Sequence, residues 1–351
     1  MISKAKGFKV DTSQILLNML RGYFMRRSRY ASILSVPFWR AYWLTMRPYL
    51  IFVSGAAALV GMAFIEKPDP FKVIVAFIPL FFSYGLGQAL TDCFQMDTDA
   101  YSAPYRPLIQ GIISRGQVII ISLSGLALSV LILATINPAI LIFGILAVIG
   151  LLSYTSFKRT WWGGPFWNSW IVALLPLMGR VVEREVPLHK IIGLNDSQSL
   201  AFLLAVLAVF FSYANFVMMG YFKDISADRK TGYRTFPVVF GWKAAAVTSD
   251  SLAFLAAFFT GWALYVIGNS NFIGVAVFVL GLGVSLYAQV KIHTVQDENK
   301  AFEPITNVVR AFILYSAAVV LTLKMEWLFF FVLFYLLFEF ALRKRPEETQ
   351  V

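Results

Sequence analysis

The sequence predicts an all-α protein, a polytopic transmembrane helical bundle of nine to ten spans. Of its 351 residues, 59% are hydrophobic and 14% are charged, whereas about 25% are charged in an ordinary soluble domain. Ten segments also approach the roughly 20 mainly apolar residues that one span needs. They lie near 48–66, 71–94, 116–135, 138–156, 163–185, 199–222, 245–268, 272–292, 305–323 and 326–342.

The predicted bundle lies between an N-terminal segment and a short C-terminal tail. Only Lys324-Met-Glu326 separates the last two segments, so residues 305–342 hold either two spans or one span and an interfacial helix. We predict a transmembrane domain over residues 47–345, followed by a tail over 346–351. Residues 1–46 form a basic N-terminal segment. Within it, Ser13 to Tyr42 is expected to be an amphipathic helix on anionic headgroups, and a disordered basic tail is the alternative.

The net charge of +11 fits either of two interpretations, nucleic-acid binding or the orientation of the chain in a membrane. In a chain of this composition we favour topology, because cytoplasmic loops collect Lys and Arg. With the N-terminus in the cytoplasm, 24 of the 30 Lys and Arg residues fall on the cytoplasmic face. We therefore expect a multi-pass protein of the cell or inner membrane, with membrane lipids as partners and no nucleic acid. One cysteine and two distant histidines predict neither a disulfide framework nor a zinc site.

Two short acidic stretches follow the second and the sixth predicted spans, where carboxylates are costly and usually functional. The first runs Asp92-Cys-Phe-Gln95-Met-Asp97-Thr-Asp99. On one continuous helix, Gln88, Asp92, Gln95 and Asp99 would share a stripe and Asp97 would face away. If the span ends earlier, Asp97 is able to turn inward.

The second stretch contains Asp224 and Asp228, four residues apart and therefore neighbours on one helix face. Both stretches lie on the predicted cytoplasmic face, so we expect them to meet there. Mg²⁺ prefers carboxylate and phosphate oxygens, and the pattern predicts a magnesium site for a diphosphate. The predicted oxygen ligands are Asp92, Gln95, Asp97, Asp99, Asp224 and Asp228. The basic residues on that face, which suit phosphate oxygens, are Arg106, Lys158, Arg159, Lys223, Arg229, Lys230 and Arg234.

Two runs carry a resemblance to a known family. They are Asp99-Ala-Tyr-Ser-Ala-Pro104-Tyr105-Arg106-Pro107 and Asp224-x3-Asp228-Arg229-x2-Gly232-x2-Thr235-Phe-Pro237-Val-Val-Phe-Gly241. They resemble the signature motifs of the UbiA superfamily of intramembrane prenyltransferases, in wording closest to the chlorophyll synthase and geranylgeranylglyceryl-phosphate synthase branches. Arg47-Pro48 and Tyr154-x3-Lys158-Arg159 support the match, which covers roughly residues 45–325.

The resemblance implies a UbiA-like fold, the cofactor Mg²⁺, and transfer of an isoprenoid chain from its diphosphate to a lipophilic, aromatic or ring-bearing acceptor through an allylic carbocation. It implies catalytic roles for Asp92, Asp99, Asp224 and Asp228. The diphosphate-binding residues that it implies are Gln88, Thr91, Gln95, Arg47, Tyr105, Arg106, Tyr154, Lys158, Arg159, Lys223 and Arg229.

The first motif departs from the family pattern Asn-x3-Asp-x3-Asp, because an ungapped alignment puts Thr91, Gln95 and Asp99 at those places. One extra residue would instead let Gln88 and Asp92 take the first two. Tyr221 also stands where the second motif often has an aspartate. The number of Mg²⁺ ions is therefore open.

Two other functions fit parts of the sequence. A UbiA-type terpene cyclase would capture the carbocation with the donor's own double bonds. A transporter or lipid-binding protein would place its polar residues near the membrane midplane, whereas here they follow span ends. Trp161, Trp162, Trp167, Asn168 and Trp170 either contact an aromatic acceptor or belong to an interfacial belt.

Overall fold

The computed structural model describes residues 30–182, 196–268 and 271–345, and all regular structure within them is helical. The predicted fold class is confirmed. The helices are α1 (Val36–Thr45), α2 (Ile51–Ala63), α3 (Pro70–Asp92), α4 (Met96–Ser102), α5 (Arg115–Ile136), α6 (Ile140–Lys158), α7 (Gly163–Arg180), α8 (Ser197–Gly220), α9 (Ile225–Lys230), α10 (Phe236–Ile267), α11 (Phe272–Thr294), α12 (Phe302–Leu323) and α13 (Leu328–Arg343).

Each of the ten predicted spans corresponds to one helix. Eight of the described helices are long and apolar enough to cross a membrane, and these include α13 with its preceding turn. Helix α2 has 13 residues, about 20 Å at 1.5 Å per residue, so it is shorter than the roughly 30 Å hydrocarbon layer. The cytoplasmic position of the N-terminus stays a prediction.

The N-terminal segment is described only from residue 30. There the helix begins at Val36, because Ser35 caps it and a proline lies in its first turn. The expected helix from Ser13 is therefore wrong over residues 30–35, and residues 1–29 lie outside the described part, as does the tail at 346–351. Trp39 and Trp43 of α1 are exposed whereas Phe38 is buried, which is the two-sided pattern of an interfacial helix.

Helix α10 begins nine residues before the predicted boundary at 245. Pro237 lies in its first turn, a position where proline favours helix initiation. Gly241 has a φ of +81° and kinks the helix, a conformation that glycine adopts at little cost. The segment before residue 245 is mostly apolar, but it contains Pro237 and Gly241, and these two residue types usually mark the end of a helix in a sequence.

The core of the bundle is formed by α2 and α12. Every residue of α2 is buried, and so are most residues of α12. The outer helices α5 and α6 instead expose large apolar side chains such as Leu128 and Ile145. The membrane-facing surface therefore surrounds two shielded central helices.

Helices α2 and α7 approach closely through glycine. A Cβ atom on Gly61 would lie 1.9 Å from the carbonyl oxygen of Pro176, and one on Gly179 would lie 2.3 Å from the carbonyl oxygen of Ala58. Small residues permit such backbone contact between membrane helices. At the same end of the bundle, Arg180 donates to the Phe64 carbonyl, which further fixes the two helices together.

We expect Gly61→Ala to destabilise the protein, although alanine is the better helix former. The methyl group must displace backbone atoms of α7, and overpacking of this kind costs about 1–3 kcal/mol. Gly283→Ala is the matched control, because nothing lies within 4 Å of a Cβ there. The thermal midpoint in detergent measures both variants, and equal midpoints would contradict the close approach of α2 and α7.

Candidate active site

The two acidic stretches meet at one end of the bundle. Helix α3 ends at Asp92, the backbone turns through residues 93–95, and α4 begins at Met96. Thr98 of α4 donates a hydrogen bond to the Asp228 carboxylate of α9, over 3.2 Å. The helices that follow the second and sixth spans thus contact each other directly.

A polar cavity lies beneath this contact, and several of the predicted residues line it. Those that do are Arg47, Gln88, Gln95, Asp99, Arg106, Tyr154, Lys158, Lys223 and Asp224. Asp92 and Asp228 are buried beside these residues, each held by the contacts given below. The structure therefore assembles most of the predicted site, from segments that are far apart in the sequence.

Arginines neutralise the carboxylates of the first stretch. Arg47 Nη2 lies 3.0 Å from Asp92 Oδ1, and Gln88 Nε2 donates to the same oxygen over 2.7 Å. Arg106 forms an ion pair with Asp99 and also lies 3.6 Å from Asp92. All four of these charged partners, Arg47, Arg106, Asp92 and Asp99, are buried. Buried charges require such pairing, so these contacts hold the site together before any ligand binds.

The two carboxylates of the second stretch have different surroundings. Burial raises the pKa of Asp228 to about 6, and Asp224 adds to the increase whereas Lys158 opposes it. Its oxygens accept hydrogen bonds from Thr98 and, over 3.0 Å, from Thr235. Burial also acts to raise the pKa of Asp224, but the ammonium groups of Lys223 and Lys158 outweigh it and the pKa is lowered.

Gln95 accepts a hydrogen bond from a lysine. Lys158 Nζ lies 2.6 Å from Gln95 Oε1, and both side chains are buried. The amide oxygen that was predicted to face a metal ion is therefore occupied by an ammonium group. This contact joins the end of α6 to the turn between α3 and α4.

Some predicted residues lie outside the polar cavity. Asp97 pairs with Arg159 over 2.8 Å at a partly exposed edge, and it accepts a hydrogen bond from Tyr233. Asp97 and Asp99 are two positions apart on α4, which sends their side chains in roughly opposite directions. Others that the cavity lining does not include are Thr91, Tyr105 and Arg229; Thr91 instead lines the apolar cavity described next.

An apolar cavity continues from the polar one. Tyr84, Gln88, Asn168 and Tyr213 line both. Its remaining walls come from α3, α5, α6 and α7, and are mostly apolar side chains such as Leu126 and Ile171. The combined space has a charged end and an apolar end, which suits an amphipathic molecule.

Three residues of this site were not predicted from the sequence: Tyr84, Tyr213 and Thr98. Thr235 was noted only as part of the second motif, and Asn168, considered for acceptor contact, lines both cavities. Tyr84 precedes Gln88 by one helical turn, so the polar stripe on α3 was a usable signal for it. Of the four tryptophans considered for an acceptor, none lines the polar cavity within the described residues. Trp161 and Trp162 are about half exposed, which favours the interfacial belt.

The oxygen-bearing side chains of this site suit Mg²⁺ only if a bound ligand supplies further oxygens. Among the described residues, no three carboxylate, histidine or cysteine side chains converge on one point that could hold a metal. Mg²⁺ commonly uses only one or two carboxylates together with substrate phosphates, and Asp99 and Asp224 line the same cavity. The residues therefore fit a metal that is held jointly with a bound diphosphate, and not one held by protein alone.

We expect Asp92→Asn to cost about 3–5 kcal/mol of stability, because it leaves Arg47 buried without its carboxylate. The double variant with Arg47→Gln should recover much of that loss. Asp97→Asn removes half of an exposed pair and should cost about 1 kcal/mol or less. Denaturant unfolding in detergent compares the three, and an Asp92→Asn loss no larger than that of Asp97→Asn would contradict the paired arrangement.

Comparisons with known proteins relate this chain to one family. The model of the UbiA prenyltransferase family matches residues 49–308. The digeranylgeranylglyceryl phosphate synthase of Methanothermobacter thermautotrophicus is 25% identical over 264 residues, which are 73% of this chain and 89% of that protein. The same-named protein of Pyrococcus furiosus is 25% identical over 216 residues, 60% of this chain and 72% of that one.

Solved structures show the same fold. The apo structure of a UbiA homologue from Aeropyrum pernix aligns with a TM-score of 0.64 at 19% identity, over 77% of this chain and 96% of that one. A UbiA homologue from Archaeoglobus fulgidus, bound to DMAPP and Mg²⁺, aligns with a TM-score of 0.57 at 20% identity. The alignment covers 80% of this chain and 98% of that one. Because the family match spans well over half of its length, this chain belongs to the UbiA prenyltransferase family and is an integral membrane enzyme.

Proposed function

We propose that this prenyltransferase moves an isoprenoid chain from its diphosphate to a lipophilic acceptor, with Mg²⁺ as cofactor. The observation that carries the proposal is the joined cavity, with four cations at one end and apolar walls at the other. The cations are Arg47, Arg106, Lys158 and Lys223. An isoprenoid diphosphate has the same division into a charged head and an apolar tail.

The head of the donor is proposed to bind at the charged end. Arg47 and Arg106 carry planar guanidinium groups that suit phosphate oxygens, and Lys158 and Lys223 add two ammonium groups. These fixed charges stabilise the negative charge that develops on the diphosphate as it leaves. Mg²⁺, when bound, would neutralise further charge on the diphosphate.

Asp99 and Asp224 are the proposed protein ligands of that metal, with Asp92 and Asp228 beside them. Both of the first two line the polar cavity. The predicted metal contacts of Gln95 and Asp97 are not part of the proposal, because Lys158 binds the single amide oxygen of Gln95 and Asp97 lies outside the polar cavity, paired with Arg159. The metal ligands proposed here are therefore all aspartates.

The tail is proposed to lie in the apolar cavity, which places the reacting carbon near Tyr84 and Tyr213, where the two cavities join. When the bond from this carbon to the diphosphate oxygen breaks, the diphosphate leaves with the electron pair and an allylic cation remains. The faces of tyrosine rings attract cations, and the apolar walls exclude water. The acceptor then forms the new bond and releases a proton.

The acceptor is proposed to be a lipophilic molecule. The aromatic or ring-bearing type expected from the sequence stays a prediction, and the four tryptophans considered for it do not line the polar cavity. The relatives are named for a glyceryl phosphate product, which favours a glyceryl phosphate lipid as the first acceptor to assay.

We expect Asp224→Asn and Asp228→Asn each to lower diphosphate release by at least about 100-fold, the usual size of losing one charge-stabilising group. Glu326→Gln, at an exposed position before α13, is the control and should retain the wild-type rate. Release is measured by coupled phosphate detection with the donor, Mg²⁺ and acceptor. Unchanged rates in both aspartate variants would overturn the enzyme mechanism.

The same assay without acceptor separates transferase from cyclase. A transferase should release little diphosphate and leave the isoprenoid chain linear. A terpene cyclase should release diphosphate and form a cyclic hydrocarbon, which mass spectrometry of the extracted lipids identifies. That second outcome would replace the transfer proposal.

We expect Ala147→Phe to discriminate against long donors, because Ala147 lines the apolar cavity and a phenyl ring would fill it. The KM for a twenty-carbon donor should rise at least about tenfold, the effect of losing roughly two methylene groups of burial, while that for dimethylallyl diphosphate should change little. Ile145→Phe on the same helix is the control, since Ile145 is 59% exposed. Equal effects at both positions would place the tail elsewhere.

A further inference from the structure

Gln95 differs from the other buried polar residues of the cavity because its amide oxygen has a hydrogen-bond partner and its amide nitrogen has none among the described residues. Its oxygen accepts from Lys158 over 2.6 Å. Because an ammonium group only donates hydrogen bonds, the atom that it meets must be the amide oxygen. The amide nitrogen therefore points the other way, with two N–H donors.

The side chain that carries these donors borders the polar cavity. Gln95 is 5% exposed and lines the polar cavity beside Asp99 and Arg106. In the part of the chain that the structure describes, the only side-chain hydrogen bond of Gln95 is the one from Lys158. Its amide nitrogen has no partner there, and it is not fully shielded from solvent. The nitrogen thus retains access to whatever fills the cavity.

The charges around Gln95 point to an anion as that occupant. Arg47, Arg106 and Lys223 each contact a carboxylate, whereas the group that Lys158 contacts is a neutral amide. A carboxylate at position 95 would repel a phosphate group unless a metal ion lay between them. A neutral amide instead offers N–H groups, and burial strengthens hydrogen bonds between such donors and charged oxygens.

We propose that Gln95 binds the donor's diphosphate directly, by donating from its amide nitrogen to a phosphate oxygen while Lys158 holds its amide oxygen. This inference rests on the function proposed above. It makes Gln95 a phosphate-binding residue, not a metal ligand. It also means that this side of the site holds the diphosphate through protein N–H groups, so that binding depends less on Mg²⁺ than it would with an acidic residue at position 95.

The alternative is that Gln95 only positions Lys158. Gln95→Glu separates the two roles, because glutamate has the same shape and still accepts from Lys158 but has no N–H donors. Gln95→Met removes the donors without adding charge, so that it tests the hydrogen bond apart from repulsion. Gln110→Glu adds the same charge at an exposed position and serves as the matched control.

The experiment is calorimetric titration of the purified full chain with a non-hydrolysable isoprenoid diphosphate analogue, in EDTA and then in increasing Mg²⁺. In EDTA we expect the Kd to rise at least about tenfold for both Gln95 variants, the typical loss for one hydrogen bond to a charged group. Saturating Mg²⁺ should restore affinity to the Glu variant but not to the Met variant, because only glutamate can bind a metal ion between itself and the phosphate. Gln110→Glu should match the wild type throughout.

Three results decide the matter. Wild-type affinity of the Glu and Met variants in EDTA would overturn a direct contact from Gln95. If the Met variant loses affinity for the analogue in EDTA while the Glu variant keeps the wild-type affinity, the role of Gln95 is to position Lys158. That result also overturns the proposal. If the wild-type chain binds no analogue even with Mg²⁺, the proposed function itself fails. Thermal midpoints close to that of the wild type ensure that each variant is folded.

Discussion

The pairing of buried charges at one end of the bundle is the constraint on which the rest of this structure depends. Asp92, Asp99 and Asp224 each contact a buried cation, and Asp228 is held by two threonine hydroxyls. An unpaired charge at this depth would cost several kcal/mol. The turn before α2, the end of α3 and the segment after α4 are therefore held together by their charges.

This arrangement prepares the site for an anionic ligand. The cations that balance the aspartates are the groups proposed to stabilise the departing diphosphate, so little reorganisation is needed when charge develops. Close packing of α2 against α7 anchors the opposite end of the bundle, and the apolar cavity runs between α3, α5, α6 and α7. Rigid helices thus carry both the polar and the apolar parts of the site.

Gln95, a neutral residue, changes the charge balance of the site. Without a carboxylate at that position, Lys158 contacts an amide and its charge stays available to a ligand. The two acidic stretches are consequently unequal: the second keeps both of its aspartates in the site, whereas the first contributes Asp92 and Asp99 and sends Asp97 to an exposed ion pair.

The sequence by itself determined the helical class, ten helices, the two acidic stretches and the family, because apolar length and motif spacing are local properties. It did not determine where α3 stops, nor that Asp97 faces outward in spite of that break, bound to Arg159 and Tyr233. It also missed the start of α10, where Pro237 and Gly241 suggest a loop although the helix continues through a kink. Only the tertiary structure decided the partner of each carboxylate, since Arg47 and Asp92 are 45 positions apart and Thr98 and Asp228 are 130 apart. Contacts at such separations follow from how the helices pack, which no local pattern encodes.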